Sequence, residues 1–335
     1  MTNPSHLCGF GSYVPEKIVP NADFVAHTPI SDDWIVSRTG IEARHLIAGG
    51  ETGTDMALAA SLAALRKAGR APDDVTHILY ATCTPDAACP SAACTLAAKL
   101  HLKGRMALDL NAACTGFLNG LEIARALIAL TPSACILLVA SESLSHRCNR
   151  EDYATAVLFG DGAGAVLVTG PQTPAATPAS PSARIVDILL GTDGDKGGLL
   201  LISGGFSATP YALGDTVGPE YFIRMDGGLV YKHAVRNMTS SCLELLARNG
   251  FAPKDVDLFI PHQANLRIIE AVGVRLGIPA EKCFINVQKY GNTSAASIPL
   301  AMDEAVRNGI LVPGMRVLLT SFGGGLTWGA SLLQF

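Results

Sequence analysis

The sequence predicts an α/β fold made from a duplicated α/β unit, and three observations carry that expectation. Short aliphatic and β-branched runs alternate with Ala- and Leu-rich stretches of helical length, the pattern of strands joined by helical crossovers in a largely parallel sheet. The alternation occurs in both halves of the 335-residue chain. Landmarks also recur at a nearly constant separation: Cys83 and His262 are 179 apart, Cys114 and Asn292 178, and Leu137 and Val317 180.

In the first half ILYAT (78–82) is a strand followed by the helix SAACTLAAKL, MALDL (106–110) a strand followed by the helix GFLNGLEIARALIAL, and ILLVAS (136–141) a third strand. The second half repeats the order: DLFIPH (257–262) before NLRIIEAVGVRLG, FINVQ (284–288) before SAASIPLAMDEAVRNG, then VLLTS (317–321). Between Gly170 and Arg184 the Pro-, Ala-, Ser- and Thr-rich run PQTPAATPASPSA reads as a surface connector. The expected division is therefore 1–170, carrying a cysteine nucleophile, and 184–335, carrying His and Asn. GDGAGA (160–165) has glycines at 160, 162 and 164, which is not the G-x-G-x-x-G spacing of a dinucleotide loop, and reads as close packing of small residues.

Composition narrows the function. Hydrophobic residues make up 49% and charged residues 16%, yet no apolar run of the roughly 18 residues needed for a span is seen in the sequence, so no membrane association is expected. A net charge of −4 without a Lys/Arg block argues against nucleic acid as a partner. The first residues, MTNPSHLCGFG, lack a basic segment followed by an apolar one, so a cytoplasmic location is expected. Nine cysteines include no C-x-x-C pair and no histidine at zinc spacing, so no metal site is expected.

NAACTGF (111–117) sets Cys114 among residues too small to hide it. A free cysteine is ordinarily a small buried hydrophobe. At a helix N-terminus, however, the dipole and unpaired N–H groups stabilise its thiolate, and Ala112, Ala113 and Gly116 leave a substrate room to reach the sulfur. His262 in IPHQANLR and Asn292 in YGNTSAASIP fall at equivalent strand-to-helix turns of the second half. Alone, such a histidine reads as a structural residue and such an asparagine as turn chemistry. Together the three make a nucleophile, a base or donor, and an amide. The consecutive glycines of SFGGGLTWG (321–329) can bring backbone N–H groups to a ligand, as an oxyanion hole requires.

With GFGSYVPEKIVPN (9–21), SDDWIVSRTGIEARH (31–45), PSAAC (90–94) and FGDGAGA (159–165), these motifs closely resemble β-ketoacyl-acyl-carrier-protein synthase III, a condensing enzyme of the thiolase superfamily, over nearly the whole chain. The resemblance implies a thiolase fold in five α/β/α/β/α layers, a homodimer, and a ping-pong decarboxylative Claisen condensation that starts fatty-acid synthesis. It implies that Cys114 takes an acyl group from acyl-CoA. His262 and Asn292 match the pair that holds the thioester carbonyl of malonyl-acyl carrier protein as it loses carbon dioxide, and the backbone of Cys114 and Gly324 matches the oxyanion hole. Trp34 and Arg38 match residues at the adenine end of coenzyme A, Asn265 a pantetheine contact, Lys232 and Arg267 basic residues for phosphate and carrier, and Phe322 an aromatic beside the cysteine. Coenzyme A is implied as a thioester substrate, with no other cofactor.

Three positions depart from the family pattern. Tyr153 stands where an arginine sandwiches adenine against the tryptophan. Cys89 replaces the aromatic that reaches across the dimer to floor the partner's acyl pocket, which implies room for primers longer than acetyl. The helix after Arg267 carries Arg275 and Glu270, a thin patch for an acidic carrier. Other readings are a condensing or acyl-transfer enzyme of a specialised pathway, a papain-like protease with its Cys, His and Asn in this order, and a non-catalytic acyl-CoA-binding homologue.

Overall fold

The computed structural model describes residues 4–26, 28–174 and 181–335, so residues 175–180 of the expected connector lie outside the described residues. The chain begins with strand β1 (His6–Tyr13) and the short pair β2 (Ile18–Pro20) and β3 (Ala43–His45), which brackets helices α1 (Asn21–Val25) and α2 (Asp32–Thr39). There follow α3 (Gly53–Ala68), β4 (His77–Ala81), α4 (Ala92–Lys99), β5 (Met106–Leu110), α5 (Gly116–Leu130), β6 (Cys135–Glu142), the single turn α6 (Tyr153–Ala156) and β7 (Gly162–Thr169). The second half comprises β8 (Ala183–Thr192), the pair β9 (Leu200–Leu201) and β10 (Arg224–Met225), and α7 (Gly227–Arg248). It continues through β11 (Leu258–Pro261), α8 (Leu266–Leu276), the single turn α9 (Val287–Tyr290), α10 (Ser297–Arg307), β12 (Arg316–Gly323) and β13 (Thr327–Gln334).

The duplication is visible in the strand order, β11-β12-β13-β8-β1-β7-β6-β4-β5. Reading outward from the centre, β1-β7-β6-β4-β5 of the first half is answered by β8-β13-β12-β11 of the second. The two sheets join where β1 and β8 pair at only His6↔Arg184 and Leu7↔Ala183.

Two expectations are corrected. The sheet is mixed rather than largely parallel: among the described residues only the strand pairs β4/β5, β4/β6 and β11/β12 run parallel. The loop 324–326 between β12 and β13 is too short for a crossover, so these strands must form an antiparallel hairpin. FINVQ is also not a strand. Phe284 N–H bonds the Phe259 carbonyl at 2.9 Å, but the Gln263 side chain then takes the N–H groups of Asn286 (2.9 Å) and Val287 (3.2 Å). Those donors are lost to a ladder, and the chain turns into α9.

Three buried clusters separate the layers. The central cluster places Phe117, Leu118 and Leu121 of α5 and Ile298 and Met302 of α10 against Leu79 and Leu138 of one sheet and Leu319 and Leu333 of the other. An outer cluster seats α3 and α4 on the first sheet, and another seats α7 and α8 on the second. These are the five layers of the thiolase fold. The middle position also explains why Ala113–Leu130, with a mean hydropathy of 1.3 over 18 residues, is apolar enough to cross a membrane on composition alone. Glu122 and Arg125 interrupt its sequence pattern, and the helix is covered by a sheet on each side.

Close packing of small residues at GDGAGA is observed. A Cβ at Gly160 would overlap the Tyr290 carbonyl oxygen, and the Gly160 N–H donates to the Asn292 carbonyl at 3.1 Å. Gly160→Val is therefore expected to cost about 1–3 kcal/mol through overpacking. Chemical denaturation should show a lower midpoint with an unchanged slope; an unchanged midpoint would mean that the 290–292 turn moves aside freely.

Candidate active site

Both inner helices start from strained turns. Cys114 lies in the one-turn segment Ala113–Thr115 between β5 and α5, and Ala113 has φ 46°. Ser294, in the turn before α10, has φ 50°. Each left-handed non-glycine residue costs on the order of 1–3 kcal/mol and persists only where its surroundings hold it. Ser321 Oγ donates to the Cys114 carbonyl at 2.7 Å and Thr115 Oγ1 to the Ala112 carbonyl at 2.7 Å, which fixes the first turn. The Ser294 N–H donates to Asn292 Oδ1 at 2.9 Å, which fixes the second.

That last bond also orients the amide. With its oxygen occupied, Asn292 turns its NH2 donors toward a cavity of about 1150 Å³ that it shares with Cys114 and His262. His262 follows β11, with its N–H bonded to the Thr320 carbonyl at 2.8 Å. Its Nδ1 lies 2.6 Å from Ser297 Oγ, which also accepts the Gln263 N–H at 3.3 Å. When Ser297 gives its one proton to Nδ1, the imidazole carries its own proton on Nε2 and presents it as a donor. Ser297 was not singled out in the sequence, although its place within NTSAAS, five residues after Asn292, is a signal of a side chain shared between turns.

Burial acts oppositely on the two titratable groups. It pushes the Cys114 thiol up to about 12 and takes the His262 imidazole down to about 3. The expected thiolate stabilisation at a helix start is thus overridden, because removing the sulfur from water outweighs the partial charge of one helix end. The histidine is neutral, as a hydrogen-bond donor to a developing oxyanion must be.

Gly324 lies in the cavity wall, and its neighbour Gly323 is so close that a Cβ there would sit 2.7 Å from the Cys114 nitrogen. Phe322 lines the same wall. At the mouth, Trp34, Arg38, Asn265 and Arg267 line the opening, with Arg38 4.6 Å over the Trp34 ring. Asn265 is already employed: it caps α8 through Arg267 N–H at 2.9 Å and donates to the Arg38 carbonyl at 3.0 Å, tying the two helices that frame the mouth. Tyr153 meets Trp34 edge-on, with centroids 6.1 Å apart and planes at 83°, rather than as a parallel partner. Lys232 is exposed on α7 and Cys89 on the loop after β4, and neither belongs to the cavity wall. Among the described residues no cluster of three or more His, Cys, Asp or Glu side chains is placed to hold a metal.

Sequence reading also missed Glu142. It is wholly buried at the end of β6, where it accepts bonds from Thr84 Oγ1 at 2.6 Å and Ser294 Oγ at 3.1 Å. Its signal was a lone carboxylate directly after the apolar run ILLVAS.

A thiol-bearing turn between two duplicated sheets places the molecule among the condensing acyltransferases of the thiolase fold. Within that class, the chain belongs to the β-ketoacyl-acyl-carrier-protein synthase III family. The family profile described as 3-oxoacyl-[acyl-carrier-protein (ACP)] synthase III matches residues 108–194, and that of its C-terminal part matches residues 246–335. The chain is 58% identical over 335 residues to the β-ketoacyl-[acyl-carrier-protein] synthase III of Nitratidesulfovibrio vulgaris, covering 100% of both chains. It is 55% identical to that of Oleidesulfovibrio alaskensis over 334 residues, again 100% of each. The crystal structure of 3-oxoacyl-[acyl-carrier-protein] synthase III from Aquifex aeolicus superposes with a TM-score of 0.88 at 41% identity, covering 99% of this chain and 100% of that one. Full-length similarity of this kind sets aside the papain-like reading.

Because the folded pKa of His262 is about 3, the unfolded chain, near ~6.5, binds the proton first. The stability that goes with neutral His262 is present above about 6.5 and is lost as pH falls toward about 3. Imidazole nitrogen NMR should show His262 as the neutral Nε2–H tautomer from about pH 8 down to about 5. Protonation near pH 6.5 would contradict the assignment.

Proposed function

We propose that the protein condenses an acyl-CoA with malonyl-acyl carrier protein to give a β-ketoacyl product, with Cys114, His262 and Asn292 as the groups that act on substrate. The observation that carries the reading is their meeting at one cavity in suitable states: a thiol at a helix start, a neutral imidazole with Nε2–H free, and an amide with its NH2 free.

In the first half-reaction Cys114 attacks the thioester carbonyl of acyl-CoA, and coenzyme A leaves as its thiol. The oxyanion is received by the N–H groups of Cys114 and Gly324. In the second, Nε2–H of His262 and the Asn292 NH2 hold the malonyl thioester carbonyl while carbon dioxide departs, so that the electron pair stays on an enolate instead of a free carbanion. The enolate carbon attacks the acyl group on Cys114. A donor that stays neutral and one that never titrates suit this step, since an imidazolium would yield its proton and quench the carbon.

The mouth supports the substrate assignment. Arg38 stacked on Trp34 offers a flat cationic surface to an adenine and its phosphates, and Arg267 and Lys232 supply positive charge for pantetheine phosphate and an acidic carrier. Tyr153 supplies a second ring face without charge. Strand β5 is an edge strand that exposes Met106 and Leu108 at 43% and 42%. An apolar exposed edge calls for cover, and a second copy of the chain provides it, in line with a homodimer. In that dimer Cys89 stands at the floor of the partner's acyl pocket and leaves it deep. Residues 1–170 then carry the nucleophile and 184–335 the donor pair, within a cytoplasmic enzyme that uses coenzyme A only as substrate.

Intact-protein mass spectrometry with acetyl-, butyryl-, octanoyl-, branched and glutaryl-CoA tests the reading. One acyl adduct is expected, absent in Cys114→Ala; no adduct with any donor would favour a ligand-binding protein. His262→Ala and Asn292→Ala should still load acyl groups yet lose about 10²–10³-fold in decarboxylation. Normal decarboxylation in both would show that the roles are misassigned. Cys89→Phe should shift primer choice toward acetyl, and an unchanged chain-length profile would remove Cys89 from the pocket.

A further inference from the structure

We propose that Glu142 accepts the proton of Cys114, through the hydroxyl of Ser294, when the acyl group is loaded. The proposal rests on the acyl-enzyme reading above. Ser294 Oγ lies 3.4 Å from Cys114 Sγ and 3.1 Å from Glu142 Oε1. A hydroxyl has one proton and cannot donate to both. With Glu142 ionised, the arrangement that satisfies every group has Cys114 S–H donating to Ser294 Oγ and Ser294 O–H donating to the carboxylate, which is a continuous path for a proton.

The surroundings of Glu142 suit a proton acceptor. Besides Ser294, it receives Thr84 Oγ1 at 2.6 Å, Thr82 Oγ1 at 3.2 Å and the Cys83 N–H at 3.1 Å. Donors converge on both oxygens, as an ionised, acceptor-only carboxylate requires. Among the described residues no Lys, Arg or His forms an ion pair with it. A buried carboxylate without a counter-ion is costly to keep for structure alone, and protonation relieves that cost. The titratable groups facing it are Cys83, whose Sγ is 3.4 and 3.5 Å from the two oxygens, Cys114 and Tyr80. Burial raises all three, so they stay neutral near pH 7 and none competes as the acceptor. Burial raises Glu142 as well, which brings its proton affinity toward that of the thiol.

The step balances. As the Cys114 S–H proton moves to Ser294 Oγ, the proton of Ser294 moves to Glu142, and the sulfur lone pair forms the C–S bond to the acyl carbon. Collapse of the tetrahedral oxyanion breaks the bond to coenzyme A, whose sulfur leaves with the electron pair and takes the proton back from Glu142 through Ser294. The result is one thiol exchanged for another, with no charge left in a dry site. Glu142 acts through Ser294 and is a positioning residue in this scheme.

Wild type, Glu142→Gln, Glu142→Asp, Ser294→Ala and the Gln/Ala double variant would be compared from about pH 6 to 9, by acetyl-CoA-dependent release of coenzyme A and by alkylation with iodoacetamide. Glu142→Gln and Ser294→Ala should each slow loading about 10²–10³-fold at neutral pH, with the rate recovering about tenfold per pH unit as the thiolate forms unaided. Glu142→Asp should rescue part of the loss, and the double variant should be no slower than the worse single one. Alkylation gives the decisive sign. If Glu142 were only a buried negative charge, removing it would ease ionisation of Cys114 and speed alkylation, whereas loss of an acceptor slows it. Faster alkylation, or unchanged loading in both single variants, overturns the relay. Should Glu142→Gln not fold, Ser294→Ala decides alone, since alanine already occupies the equivalent left-handed position at 113. A wild-type protein that takes no acyl group from any CoA donor fails at the earlier step, and the relay falls with the function.

Discussion

The structure depends on how closely two helix-bearing turns approach where the halves of the fold meet. Ala81, Ala140, Ala295 and Ala296 form their own buried cluster there, and a Cβ on Gly116 would lie 3.0 Å from that of Ala81 and 3.3 Å from that of Ala295. Larger side chains would push α5 and α10 apart and take Cys114 out of reach of the Ser294 hydroxyl. The small residues therefore do at the centre what bulky ones do elsewhere in the core: they set a distance. The strain at Ala113 and Ser294 is the local cost of that approach, sustained by two extensive sheets on either side.

From this approach follows a buried site, and burial has opposite consequences for its members. Desolvation makes His262 a durable neutral donor and strengthens each hydrogen bond aimed at an oxyanion. The same desolvation disfavours the thiolate of Cys114. A nucleophile that rests as a thiol needs its proton removed during attack rather than before it. Under the proposed function the helix start alone would not make Cys114 reactive, and the carboxylate on the far side of Ser294 then has a chemical part to play.

Much of the fold was legible because duplication leaves a spacing that survives divergence. The alternation of apolar runs with helical stretches in both halves gave the duplicated α/β plan, while the five layers came only with the family resemblance of motifs such as NAACTGF and FGGGLTWG. What stayed hidden depends on contacts between elements distant in sequence. FINVQ has strand composition, but Gln263, more than twenty residues earlier, claims its N–H groups. Sheet direction was misjudged because β12 and β13 are joined by a hairpin. Ser297 and Glu142 gain meaning only from partners 35 and 152 residues away, which no local pattern reveals.

The cavity divides its work along its length. At the mouth Arg38, Arg267 and Trp34 are partly exposed, a setting in which the charged end of the proposed coenzyme A substrate would keep its hydration. At the base, Ser294 beside the thiol, Ser297 beside the imidazole and Glu142 behind Ser294 are all buried and hydrogen-bonded. A long flexible substrate with its charge at one end and its thioester at the other matches this gradient: the charged end can be held at the surface while only the reacting carbonyl is desolvated. Binding energy gained at the mouth can then offset the desolvation of the thioester at the base, which is how remote contacts come to accelerate a reaction in which they take no part.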